Sequence, residues 1–147
     1  MSKFHFPFTL LLAAASLSVQ AAPEFLALDV DKMRAMELES IPPFPAELVL
    51  KGESENWESV LHQGDFVVSV YEASPAIIDI SDPFPYDEFV LVLEGEVTLT
   101  NVEGGTATYK EGDTFLVPKG WMGTWDMPVK YREMIIIETE ALLAGEF

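Results

Sequence analysis

The 147-residue sequence has no cysteine, only two histidines and only eight lysines and arginines. Without cysteine there can be no disulfide, no thiolate zinc site, no thiol nucleophile and no lipidated N-terminal cysteine. Eight basic residues stand against 25 acidic ones, a formal charge of −17. That balance excludes nucleic acid as a partner, because a phosphate-binding surface needs clustered Lys and Arg. Signature motifs are missing too: there is no G-x-S-x-G, no H-E-x-x-H, no P-loop and no dinucleotide fingerprint. What is present is a chain of one-domain length with 49% hydrophobic residues, apolar enough to fold rather than remain a disordered acidic polymer.

Residues 1–22 read as a secretory signal peptide. Lys3 supplies the positive start, Phe8 to Val19 is almost wholly apolar, and Val19-Gln20-Ala21 has the small-x-small form of a cleavage site. The apolar run is about a dozen residues, short of the roughly 20 that span a bilayer. Cleavage after Ala21 or Ala22 removes Lys3 and His5, so the mature chain keeps His62 as its one histidine. The expected location is the periplasm or the exterior, with no membrane attachment after cleavage.

Behind the signal peptide, residues 23–60 are expected to form an N-terminal helix and an extended arm. The helix falls within 24–40, with Asp29 as cap and Leu28, Met33, Met36 and Leu38 as a loose apolar stripe. Ile41-Pro42-Pro43-Phe44-Pro45 must be extended, since proline fixes φ and removes donors, and it reads as an arm laid over something. Ala46 to Lys51 holds a short strand and Trp57 sits in a polar loop. From residue 61 to 140 short strands follow one another: Phe66–Tyr71, Ala76–Ile80, Phe89–Leu93, Val97–Val102, Thr106–Lys110, Thr114–Val117 and Tyr131–Glu138. Turn residues separate them at close spacing with no intervening helices, which predicts an all-β sandwich or barrel and excludes a parallel βαβ sheet. Residues 141–147 are a C-terminal tail. The Phe89–Leu93 and Met134–Ile137 stretches are apolar on both parities, so both their faces must be covered. The arm, a second sheet or a second subunit could cover the outer face, and a homodimer is expected.

The segment 86–120 carries a more specific pattern. Glu88, six residues and Gly95 match the second half of one motif; Gly112, five residues, Pro118, Lys119 and Gly120 match the first half of another. In this spacing the chain resembles the cupin superfamily. Tyr86-Asp87-Glu88, Leu93-Glu94-Gly95, Gly112-Asp113 and Gly123-Thr124-Trp125 narrow it to a small branch that is similar to (S)-ureidoglycine aminohydrolase and to ethanolamine-utilisation cupins. The resemblance implies a jelly-roll barrel of two packed antiparallel sheets. It also implies a divalent metal held by two His and a Glu of the first motif and a His of the second. Here the first-motif His positions fall near Ser81 to Phe84, and the second-motif His and Asn positions are Gly123 and Met127. Glu88 alone remains, so no cofactor is expected, with Mn or Mg on carboxylates as the lesser alternative.

Five residues are candidates for a binding site: Tyr86, Glu88, Trp121, Trp125 and Arg132. An inward Glu88 in a barrel mouth would have its pKa raised by desolvation, fitting it for acid–base catalysis or for holding a hydroxyl or amine. The bland alternative is a buried salt bridge between Glu88 and Arg132. Arg132 heads the apolar strand at 131–138 and needs a carboxylate or an anionic ligand, unless it is exposed at the rim. Trp121, Trp125 and Tyr86 near the rim suit stacking on a ligand, with core filling the alternative for Trp125. His62 is expected in a polar loop, and Tyr71 and Glu72 are expected to be structural.

Three readings follow in order. The first is an exported cupin without its His ligands that binds a small polar organic molecule. The second is a hydrolase or isomerase acting on a small metabolite, with Glu88 as acid–base. The third is a structural or partner-binding barrel with a solid interior.

Overall fold

The computed structural model describes residues 24–145; the signal peptide and its cleavage site lie outside them. The chain forms eleven strands among the described residues, in two antiparallel sheets. The strands are β1 (Glu39–Ile41), β2 (Val49–Gly52), β3 (Asn56–Gln63), β4 (Phe66–Ala73), β5 (Ala76–Ile80), β6 (Glu88–Glu94), β7 (Glu96–Asn101), β8 (Thr106–Lys110), β9 (Thr114–Val117), β10 (Gly123–Met127) and β11 (Tyr131–Glu138). One sheet runs β1-β3-β4-β11-β6-β9 and the other β2-β5-β10-β7-β8. Two helices flank them, α1 (Val30–Ala35) and α2 (Thr139–Gly145). The fold is an all-β jelly-roll barrel: the strand spacing predicts the all-β sandwich or barrel, and the family resemblance implies the jelly roll.

Alternation along the strands sorts side chains between the barrel interior and the outside. On β11, Tyr131, Ile135 and Ile137 join the core between the sheets, while Met134 joins a second cluster outside them. That second cluster explains the two-sided apolar strands. Met33 of α1 packs with Val68, Val70, Leu93 and Met134, so α1 covers the outer face of β4, β11 and β6 within the same chain. Turns close the strands where the sequence places glycine. Gly95, at φ +80, joins β6 to β7, and any Cβ there would collide with the Lys130 carbonyl.

Three expectations are corrected. The helix within 24–40 is only six residues long, although Asp29 does cap it by accepting a hydrogen bond from Lys32 N at 3.0 Å. The polar loop around Trp57 is instead β3, and His62 lies on that strand, exposed, rather than in a loop. Its strand character is masked because the inward positions Asn56 and Glu58 are polar. Residues 123–127 also form a strand, β10. The arm behaves as expected: β1 pairs with β3, and Phe44 is buried against the core between the sheets. The C-terminal tail begins as α2, whose Leu142 packs into that core.

Candidate functional site

The space between the sheets is not filled. A cavity of about 50 Å³ lies there. A single water needs roughly 10–15 Å³ of such space, so several waters or a small organic molecule can be accommodated. Ile41 and Phe44 of the arm line one side. Ile78 and Ile80 of β5 and Trp125 and Met127 of β10 line another. The first sheet contributes Asn56, Tyr71, Glu88, Glu133 and Ile135, and Phe84 and Tyr86 come from the loop before β6.

That loop is pinned by backbone bonds to the segment after β9. Phe84 N donates to Trp121 O at 2.9 Å, Gly120 N donates to Phe84 O at 2.7 Å, and Lys119 N donates to Asp87 Oδ1 at 2.8 Å. Gly120 at φ +86 permits the turn these bonds require. Asp87 therefore faces solvent and its neighbour Glu88 faces inward, as strand parity demands.

The acids dominate the chemistry. Glu58, Tyr71 and Glu133 are direct register partners across β3, β4 and β11, so they share the interior face. Glu88 on β6 joins them from the next strand. Burial raises the Glu58 carboxyl from 4.5 to about 7, tempered by the Ser69 hydroxyl, although neither Ser69 Oγ nor Glu58 Oε1 reaches hydrogen-bonding geometry. Burial raises Glu133 to about 8, against the lowering effect of the Tyr131 hydroxyl, which donates to Glu133 Oε2 at 2.6 Å. Glu88 is pushed well above the ordinary carboxylate range, chiefly by burial and further by the charges of Glu133 and Glu58. Its carboxyl makes no hydrogen bond and no ion pair. Tyr71 donates to Asn56 Oδ1 at 2.9 Å, and Asn56 Nδ2 donates to Pro42 O at 3.2 Å, which ties the arm to the cavity wall. No residue lining the cavity is Lys, Arg or His.

Of the five sequence candidates, Tyr86, Glu88 and Trp125 line the cavity and two do not. Arg132 sits on the opposite face of β11. Its Nε and Nη2 bind Glu72 Oε2 at 2.7 and 2.6 Å, and Nη1 donates to the carbonyls of Met33, Arg34 and Met36 at 3.0, 2.5 and 3.1 Å. It is a buried clamp on α1, neither a ligand-binding group, nor rim-exposed, nor the partner of Glu88. One-residue parity decides this, since Arg132 and the inward Glu133 are neighbours. Trp121 lies outside the cavity, packed edge-on against Trp125 with ring centroids 6.4 Å apart. Sequence reasoning missed Glu133, Glu58, Asn56 and Tyr71. Glu133 carried a signal, being a lone acid at the inward parity of an apolar strand. Glu58 and Asn56 carried none, for they lie in a polar stretch.

Comparison with known proteins agrees with the fold. The family model for a EutQ-like cupin domain matches residues 62–133, just under half of the chain. Over these residues the chain carries a cupin-type domain similar to EutQ-like proteins. Similar solved folds include a DUF861-family protein of unknown function from Pseudomonas syringae pv. tomato str. DC3000, at 21% identity and TM-score 0.65. That match covers 71% of this chain and 45% of the other, so this chain spans less than half of that protein's length. A protein assigned as ethanolamine utilization protein Q from Salmonella typhimurium LT2 matches at 18% identity and TM-score 0.52, covering 69% of this chain and 94% of the other. The EutQ protein of Clostridium difficile matches at 17% identity and TM-score 0.50, covering 58% and 68%. No curated protein matches the chain.

The metal that the cupin resemblance implies does not fit these residues. Among the described residues, no three His, Cys, Asp or Glu side chains converge in a way that could hold an ion. The second-motif His position is closed by packing as well. A Cβ on Gly123 would collide with the Thr100 carbonyl oxygen and come within 2.9 Å of Trp121 Cζ2.

Proposed function

We propose that this cupin binds a small polar organic molecule inside its barrel without the help of a metal. One observation carries the reading: Glu88 is 5% exposed, its carboxyl makes no hydrogen bond, and it lines a cavity whose wall is mostly apolar and aromatic. A buried polar group left unpaired costs free energy that a ligand donor would recover. Pockets of this composition, mostly apolar with a few convergent polar groups, are the usual form of small-molecule sites. A partner-binding barrel with a solid interior is disfavoured by the hollow between the sheets.

A thermal-shift screen of amines, amino acids, sugars, ureides and small carboxylic acids tests the reading. Binding raises the melting temperature by mass action, and Ile80→Phe, which fills the cavity, should abolish every shift. No shift with any compound at millimolar concentration would refute it.

The enzymatic reading keeps one specific support. Glu133 at about 8 is a carboxyl able to exchange protons near neutrality, as a hydrolase or isomerase requires, and burial raises its cavity neighbour Glu88 as well. Turnover of a screened ligand, followed by NMR and lost in Glu88→Gln, would establish it. Export and self-association belong to the proposal too. Export rests on the signal-peptide pattern of residues 1–22. A homodimer is supported by the apolar residues left uncovered by α1 on the outer face, Leu116, Phe89 and Phe66 at 58%, 37% and 55% exposure. Sedimentation at low micromolar concentration should give a dimer, and monomer alone would refute that part.

A further inference from the structure

The cavity's charge balance says more about the ligand than its size does. Two carboxyls, Glu88 and Glu133, line it, a third, Glu58, shares its face across the register, and no cationic side chain lines it. Glu72, by contrast, has Arg132 and Lys130, and Glu94 has Lys130. Glu88 has nothing, although it is 5% exposed and opens on the cavity. Aromatic rings share the remaining wall with aliphatic side chains and Asn56. Trp125, Tyr86, Phe84, Tyr71 and Phe44 surround the same space. Ring faces carry negative potential and attract cations, and the attraction strengthens when water is excluded. Uncompensated carboxyls together with several aromatic rings are the donor set for an organic cation. A metal ion would instead need converging ligands, which are missing among the described residues.

Resting on the ligand-binding reading above, we propose that the barrel selects a small organic monocation, an alkylammonium or quaternary ammonium group, seated among the aromatic rings with Glu88 and Glu133 as its counter-charges. A neutral molecule of the same shape draws nothing from ionised carboxyls, and an anion would oppose their ionisation. Binding requires the counter-charge to be ionised, so a cation must displace a proton from the acid pair. The groups facing that pair from neighbouring strands are Glu58 on β3, Tyr71 on β4 and Tyr131 on β11, none of them cationic. The facing residues of β5 and β10, Ile78, Ile80, Trp125 and Met127, do not titrate.

Calorimetric titration of the full mature protein with choline and with its neutral isostere 3,3-dimethylbutan-1-ol separates the possibilities. Choline should bind at least about tenfold more tightly than the alcohol. Because choline cannot change its own charge, any pH dependence belongs to the protein, and its affinity should rise from about pH 6 to about pH 8, by at most about tenfold per unit for one displaced proton. Glu133→Gln and Glu88→Gln should each erase most of the preference for choline, and Trp125→Leu should weaken choline more than the alcohol. Using two separate Glu variants covers the case in which one fails to fold. Equal affinity for choline and the alcohol would overturn the cationic selectivity while leaving the binding site intact. The same holds if neutral compounds alone stabilise the protein in the screen. If nothing in the screen binds, the ligand-binding reading falls and this inference falls with it.

Discussion

Replacing Glu58 with Gln should change how stability depends on pH, and the size of the change follows from burial. Glu58 titrates at about 7 in the folded barrel against an ordinary 4.5. Between those values the native state holds a proton that the unfolded chain has released. Stability therefore falls as pH rises through that window, at about 1.4 kcal/mol for each unit of separation. The separation of about 2.5 units amounts to about 3 kcal/mol at about pH 8, and to almost nothing at or below about pH 4.5. Gln imitates the protonated carboxyl and cannot ionise. Its amide can also donate toward Ser69 Oγ, which is buried without a partner. Urea unfolding of both proteins from about pH 5 to about pH 8 reads the effect. The wild type should lose stability as pH rises, and the variant should retain about 3 kcal/mol more at the alkaline end than at the acid end, relative to wild type. A constant difference between the two proteins across that range would mean that Glu58 titrates like a solvated acid, and the argument from burial would fail.

Arg132→Ala should cost about 3–5 kcal/mol, because it strands the Glu72 carboxylate and three carbonyls of α1 in a nearly closed site. Hydrogen exchange should show α1 losing protection while ligand affinity stays unchanged, and lost affinity with intact α1 would contradict the clamp. Gly123→His, which the resemblance would treat as restoring a metal ligand, should give unfolded protein because of the Thr100 carbonyl; a folded variant that binds zinc would contradict that. Mass spectrometry of the exported protein should find its N-terminus at Ala22 or Pro23, and an intact Met1 on exported protein would refute cleavage.

The fold was readable because turn chemistry and strand periodicity agree from Phe66 to Glu138. Six of the seven strands expected there keep their limits to within one residue at each end, and the strand expected at Phe66–Tyr71 runs two residues further, to Ala73. β3 was hidden because its inward residues Asn56 and Glu58 are polar and break the apolar alternation that marks a strand. The site was half readable. Glu88 stood out as an acid opening an apolar strand, and the same logic applied to Glu133 would have found its neighbour in the cavity. Arg132 attracted attention for its charge, but only the register of β11 against β4 and β6 shows which of two adjacent residues points inward. Tyr71 and the arm residue Phe44 enter the site through tertiary packing, which local pattern does not encode.

The most direct test of the buried acid cluster is a pH titration of the glutamate side-chain carboxyls by 13C NMR, with and without choline. Three signals, assigned by their loss in the Gln variants, should stand out: Glu58 titrating at about 7, Glu133 at about 8 and Glu88 well above the ordinary carboxylate range, with choline moving those of Glu88 and Glu133 downward. If every glutamate titrates near 4.5 and none responds to choline, the barrel does not hold its acids as described.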